Sequence, residues 1–196
     1  MPDRERDRRI RDVGTLKALA HPLRMKLYRA LTIARTATAS QLAEQVDEAV
    51  SLVSYHLRKL AEHGLIEEAG TQSTDARERW WQPSTDGVSI RDEDFRDAPE
   101  KAAAHTAASR LFFEQRADMY RRFLDERPHW GAAWNTASDS SEWLLKLTPD
   151  ELARLSKEIY DLVRKYEELG RAAAEAGDTE GRENVAMHTY GFPFRT

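Results

Sequence analysis

Apolar positions in the first third of the chain recur at three- and four-residue spacing, in four bursts separated by polar breaks. In residues 13–20, Val13, Leu16, Leu19 and Ala20 share one side of a short helix. His21-Pro22 restarts the chain, with Pro22 at a first helical position where its missing N–H costs nothing. Leu23, Leu27, Leu31 and Ala34 then continue a buried stripe. His21 fits an N-cap or turn residue better than a ligand. A third burst, residues 39–46, buries Leu42, Ala43 and Val46, with Ser40 or Thr38 as N-cap and Glu44 placed to close a capping box on Gln41 if the helix starts there.

Only Asp47, Glu48 and Ala49 separate that segment from the fourth burst, a helix over about residues 50–63 with Val50, Val53, Leu57 and Leu60 along its back. Gly64 ends it as a left-handed C-cap would. Residues 65–70 and 77–82 read as two strands around a polar turn, with Trp80 and Trp81 on opposite faces. One tryptophan should pack on the fourth helix, and the other should face the following segment or a partner chain. Helix, tight turn, helix and hairpin in this order predict a winged helix-turn-helix.

The outward arc of the fourth helix carries Ser51, Leu52, Tyr55, Arg58, Lys59 and Glu62, with Ser54 and His56 on its flanks. Hydroxyls, a phenol and adjacent cations backed by an apolar stripe suit a helix lying in the DNA major groove. The alternative for such a pattern is a solvated surface helix. Arg77 and Arg79, on one face near the hairpin tip, are candidates for phosphate or minor-groove contact. The competing role is ion pairing with Glu67, Glu68 or Glu78.

Four blocks carry a family resemblance: Leu16-Lys17-Ala18-Leu19-Ala20-His21-Pro22-Leu23-Arg24, Gln41-Leu42-Ala43-Glu44, Val53-Ser54-Tyr55-His56-Leu57-Arg58-Lys59-Leu60 and Gly64-Leu65-Ile66. Through them residues 13–83 resemble the ArsR-type bacterial winged-helix repressors. The resemblance implies a homodimer on an imperfect inverted repeat, usually repressing, with an effector that changes DNA affinity. Three departures stand out. Asp47-Glu48-Ala49 occupies the place of a Gly, an apolar residue and an N-capping Ser, which forfeits a cap worth about 0.5–2 kcal/mol unless Asp47 supplies it. Leu52 replaces a common polar base reader, so it touches a thymine methyl or is merely tolerated. The chain has no cysteine, so thiolate sensing of soft metals is excluded.

Beyond the hairpin, residues 84–99 form a polar connector and Pro99 starts a long helix to about Glu126. Phe113, Ala117, Tyr120 and Leu124 make one stripe on it, and Phe112, Met119 and Phe123 an adjacent one. Two stripes need two covering surfaces, which predicts burial between the helix's own domain and a second subunit. The dimerisation candidates are Phe112, Phe113, Met119, Tyr120 and Phe123; a purely intramolecular core is the alternative. Residues 134–136 and 142–147 look like short strands. Thr148-Pro149-Asp150-Glu151 is a helix start with Thr cap, Pro first and Glu third. The helix after it spaces Leu152, Leu155, Ile159, Leu162, Tyr166 and Leu169 as a heptad stripe, which packs on strands or forms a short coiled coil with a partner. Residues 185–194 read as a last strand.

Trp130, Trp134, Trp143, Tyr190, Phe192 and Phe194 are concentrated here. They are candidates either for a pocket holding a small apolar or aromatic effector or for the ordinary core of a small sheet. His63, His105, His129 and His188 show no metal-ligand spacing, so no metal or other cofactor is expected. Phosphate-binding glycine loops, GxSxG and HExxH are absent, and no enzyme chemistry is expected.

Net charge is −4, with the acidic surplus in residues 93–196 and residues 1–92 close to neutral. A near-neutral reading head relies on local cations, so its DNA affinity should fall steeply with salt. The N-terminus has no apolar segment and no run approaches a membrane span, which makes a cytoplasmic protein the default. The expected fold class is α+β, mainly α. The expected divisions are a flexible arm (1–12), a winged helix-turn-helix domain (13–84), a linker (85–98), a long dimerisation helix (99–128) and a small C-terminal α+β subdomain for dimerisation or effector sensing (129–196). The expected function is that of a homodimeric repressor of an inverted-repeat operator in double-stranded DNA, released by a small effector. A winged-helix protein-interaction module without a DNA site is the alternative.

Overall fold

Each of the four apolar bursts is a helix in the computed structural model, which describes residues 7–70 and 79–195. They are α1 (Val13–Ala20), α2 (Pro22–Ala34), α3 (Ala39–Val46) and α4 (Val50–Glu62). Asp12 caps α1 by accepting the Thr15 N–H at 2.7 Å, and Pro22 opens α2 directly after His21. Leu16, Leu19, Leu27, Leu31, Leu42, Val53, Leu57 and Leu60 are fully buried in one cluster. Ala34 and Val50, at the open ends of their helices, are exposed instead.

The wing is a three-stranded antiparallel sheet in the order β2-β4-β3, from β2 (Ala37–Thr38), β3 (Ile66–Glu68) and β4 (Trp80–Pro83). β4 lies centrally, with Ala37 opposite Trp81 and Ile66 opposite Pro83. Strand alternation sends Trp81 into the core and leaves Trp80 half-buried. The turn at residues 71–76 lies outside the described residues.

Two segments expected to be loose are built into this domain. Residues 7–10 of the expected arm form β1 (Asp7–Ile10), which pairs in parallel with β5 (Gly87–Ile90) in the expected linker. A 3-10 turn, Asp92–Asp94, follows β5. Arg9 clamps it, donating from Nε to Asp94 at 2.6 Å and from an Nη to Glu93 at 2.5 Å. Ile10 and Phe95 are both fully buried in the cluster, and the Phe95 ring stacks on His105 of α5 (Pro99–Glu126) at 5.2 Å. A charged strand reading DRRI has no apolar alternation, so only long-range pairing could reveal it.

The chain divides into two compact units, Met1–Asp125 and Glu126–Thr196. The second contains a 3-10 turn (Arg127–His129), α6 (Gly131–Ala137) and α7 (Pro149–Glu175). The strands expected here are absent among its described residues. Residues 134–136 lie in α6, where the Asn135 amide donates to the carbonyls of Gly131 at 2.8 Å and Arg127 at 3.0 Å. A helical turn satisfies its backbone groups locally, whereas a strand here would need an edge to pair with. Residues 142–147 and 185–194 run outside any ladder, since an apolar run becomes a strand only with an edge to pair. The described chain is thus mainly helical around a winged helix-turn-helix, and its sheets belong to the first unit.

Candidate nucleic-acid interface

The turn between α3 and α4 sets the angle of α4. Thr38 and Gln41 close a capping box at the start of α3: the Gln41 N–H donates to the threonine hydroxyl at 3.3 Å, and the Thr38 N–H to the Gln41 side chain at 2.9 Å. At the other end Asp47 takes the left-handed conformation (φ 56°, ψ 54°). The N–H groups of Asp47 and Glu48 fold back onto the carbonyls of Glu44 and Ala43. Asp47 therefore does the work of a glycine at the end of α3. The N-cap of α4 is Ala49, which offers no side-chain bond, so the lost cap is not replaced. Glu44, Asp47 and Glu48 line an open groove of about 500 Å³ at this corner.

Val53, Leu57 and Leu60 anchor the back of α4, and at its far end the Leu65 N–H reaches the Leu60 carbonyl at 3.0 Å around left-handed Gly64. Ser51, Leu52, Tyr55 and Arg58 are exposed on the front. Ser54 is half-buried, its carbonyl accepting from Arg58 Nε at 3.3 Å. Lys59 is tethered: its ammonium donates to Glu62 at 2.7 Å and lies 5.8 Å from the centre of the Tyr55 ring. The pairing raises the Lys59 pKa above its ordinary value and lowers that of Glu62. Any phosphate contact by Lys59 must displace this carboxylate.

His56 does not belong to the reading face. It is 6% exposed, and its ring packs at a tilt against that of His21 at 4.7 Å, linking α4 to the start of α2. Tyr55 meets it edge-on at 5.1 Å. Neither histidine Nδ1 has a hydrogen-bond partner among the described residues. Burial first, and the nearby Arg24 cation besides, push both pKa values below the ordinary histidine value; Glu48 opposes this at His56. Both shifts favour the neutral ring over the charged one in the folded chain. Stability should be level above about pH 6.5, the value for a free histidine. It should decline as the pH falls through the depressed folded values, because the unfolded chain takes up protons that the folded pair refuses. Urea midpoints measured from about pH 8 down to about 5 should show this loss, and His56→Phe should flatten it; an equally steep loss in the variant would mean other groups govern it.

In the wing, Arg79 is exposed, pairs with Glu68 at 3.2 Å and lies 5.6 Å from the Trp81 ring centre. The ion-pair alternative thus describes its resting state. Arg77 lies outside the described residues.

The five dimerisation candidates on α5 separate. Phe112 is buried within its own domain together with Ala108, which removes it from any intermolecular surface. Met119 is half-buried, its sulfur accepting from Arg29 at 3.2 Å. Phe123 is half-buried and stacks on Tyr120 at 6.0 Å. Phe113, Tyr120 and Leu124 stay exposed at 52%, 43% and 44%. Of the pocket candidates, Trp130 and Trp134 are half-buried, but Trp143 and Phe192 are 72% and 70% exposed and Tyr190 48%. Side chains so exposed line neither an enclosed pocket nor a core among the described residues. No group of three or more His, Asp or Glu among the described residues is placed to hold a metal ion. No helix among them is long and apolar enough to cross a membrane.

Comparison with known proteins agrees on the domain. Residues 19–69 match a helix-turn-helix domain family. No curated protein matches the chain. Among solved structures, the adhesin competence repressor AdcR of Streptococcus pyogenes is similar at 14% identity over 75% of this chain and 81% of that one, with a TM-score of 0.30. A mutant of Lactococcus lactis ZitR in apo form is similar at 17% identity over 78% of this chain and 90% of that one, with a TM-score of 0.29. At such TM-scores the likeness bears on neither the fold nor the role of this chain.

Proposed function

We propose that the chain is a homodimeric, sequence-specific DNA-binding transcriptional regulator that represses from an inverted-repeat operator. The observation that carries this reading is the division of α4 within a helix-turn-helix domain. Its back is locked into the core by Val53, Leu57 and Leu60, while Ser51, Leu52, Tyr55 and Arg58 face outward together. Arg58 and Ser51 supply hydrogen bonds, Leu52 offers an apolar contact to a thymine methyl, and Arg79 reaches phosphate once freed from Glu68. Dimerisation through the exposed α5 stripe of Phe113, Tyr120 and Leu124 would set two copies of α4 roughly 34 Å apart, one turn of DNA. A small effector belongs to this reading through the ArsR-type resemblance. It would have to draw together Trp143, Tyr190 and Phe192, which now face solvent.

The test is fluorescence anisotropy on a palindrome selected from the parent genome and on its scrambled counterpart. Arg58→Ala should cost about 1–3 kcal/mol on the palindrome if the guanidinium reads a base, and weaken both duplexes evenly if it holds phosphate. Glu62→Gln should raise affinity for both duplexes and steepen the salt dependence by releasing Lys59. Equal binding by parent and Arg58→Ala would remove that side chain from the interface.

A second reading, a winged-helix module for protein contacts, draws on the carboxylates of Glu44, Asp47 and Glu48 at the mouth of α4, which repel phosphate. No binding to any selected duplex would favour it.

A further inference from the structure

α7 holds its apolar side chains at Leu152, Leu155, Ile159, Leu162, Tyr166 and Leu169, alternating steps of three and four that form the a and d positions of a two-stranded coiled coil. The unit containing it is short of core. Among the described residues of Glu126–Thr196, Ala173 alone is buried, while Leu162, Tyr166 and Leu169 are 53%, 67% and 56% exposed. Leu152, Leu155 and Ile159 are half-buried, and the C-terminal segment passes over the first of them: a Cβ on Gly191 would come within 2.9 Å of the Leu152 side chain. The fully open part of the stripe therefore runs from Leu162 to Leu169, with Leu155 and Ile159 partly uncovered beside it.

The charges beside the stripe say what covers it. With Leu152, Ile159 and Tyr166 at a, Glu158 and Lys165 both fall at g, and both are exposed. In a parallel pair these would face Val163 and Gly170 at e of the other strand, with no charge to meet. In an antiparallel pair g faces g, so Glu158 of each strand meets Lys165 of the other, twice about the two-fold axis. The same register stacks Ile159 on Leu162 and Leu155 on Tyr166, again twice. A helix complementary to its own reversed copy has the property required of an isologous interface.

We infer that α7 docks on α7 of a second copy of this chain as an antiparallel coiled coil centred between Ile159 and Leu162. This interface is separate from the α5 stripe and independent of DNA, and it shares with the regulator reading only the two-fold symmetry. It gives the C-terminal unit a core that one copy lacks.

The natural absence of cysteine makes the test clean. Leu155→Cys, Tyr166→Cys and the double variant of the full-length protein are oxidised mildly without DNA and run on a non-reducing denaturing gel. Within one helix the two positions are about 16 Å apart, too far for an internal disulfide. The antiparallel register requires linked dimers from the double variant and none from either single. Linked dimers from the single variants would show a parallel pair and overturn the proposal, as would monomer throughout. In the double-cysteine background, Glu158→Lys or Lys165→Glu alone should reduce the cross-linked fraction and the two together should restore it. A combined variant no better than either single would overturn the register. The gel result stands whether or not the protein binds any duplex, so failure here and failure of the regulator reading are separable.

Discussion

Phe95→Ala should destabilise the winged domain by about 3–5 kcal/mol, the range for deleting a fully buried aromatic ring. Phe95 lies beyond the wing, in a stretch whose composition (RDEDFRDAP) describes a solvated connector. Yet the ring is fully buried and stacks on His105, joining the turn after β5 to the first coils of α5. Removing it should leave a cavity that charged neighbours cannot fill, and the denaturant midpoint should fall accordingly. Ile33→Ala, a deletion at an apolar side chain 58% exposed on α2 of the same domain, is the control and should cost far less. A loss at Phe95 no larger than at Ile33 would mean that residues 85–98 are a linker after all.

Joint replacement of Tyr120 and Leu124 by glutamate should break the proposed α5 contact while leaving each winged domain and the α7 pairing intact. Both side chains are more than 40% exposed, on the stripe beside the one that holds Phe112, so their loss opens no cavity in the domain. Sedimentation should show the α5 contact weakened, and the urea transition of the winged domain should keep its midpoint. Operator affinity should fall by about 10²–10⁴-fold, because one half-site no longer raises the effective concentration of the other reading head. Unchanged sedimentation and affinity would show that α5 is not the dimer contact. A shifted urea midpoint would show that the stripe serves its own domain.

Local rules reached most of the first unit. Periodicity of 3.6 found α1 to α4, and Gly64 and the Thr148-Pro149-Asp150-Glu151 start sit at helix ends where capping chemistry places them. What escaped depends on pairs distant in sequence. β1 is polar, and its partner lies about eighty residues on. His56 has a helical position that fits an exposed flank, and its packing against His21, distant in sequence, helps take it out of solvent. Helical spacing puts Lys59 and Glu62 on one arc, but their tether and its competition with a phosphate contact need the geometry. In the second unit, apolar runs were taken for strands because alternation records burial, not the presence of an edge to pair with.

The ladder between β1 and β5 carries a consequence for how the first unit assembles. Its two strands lie about eighty residues apart, so the ladder ties the start of the domain to the root of α5 across all the helices and the wing between them. Breaking it would release the Asp7–Ile10 strand and the Arg9 clamp together, and with them the anchorage of that root.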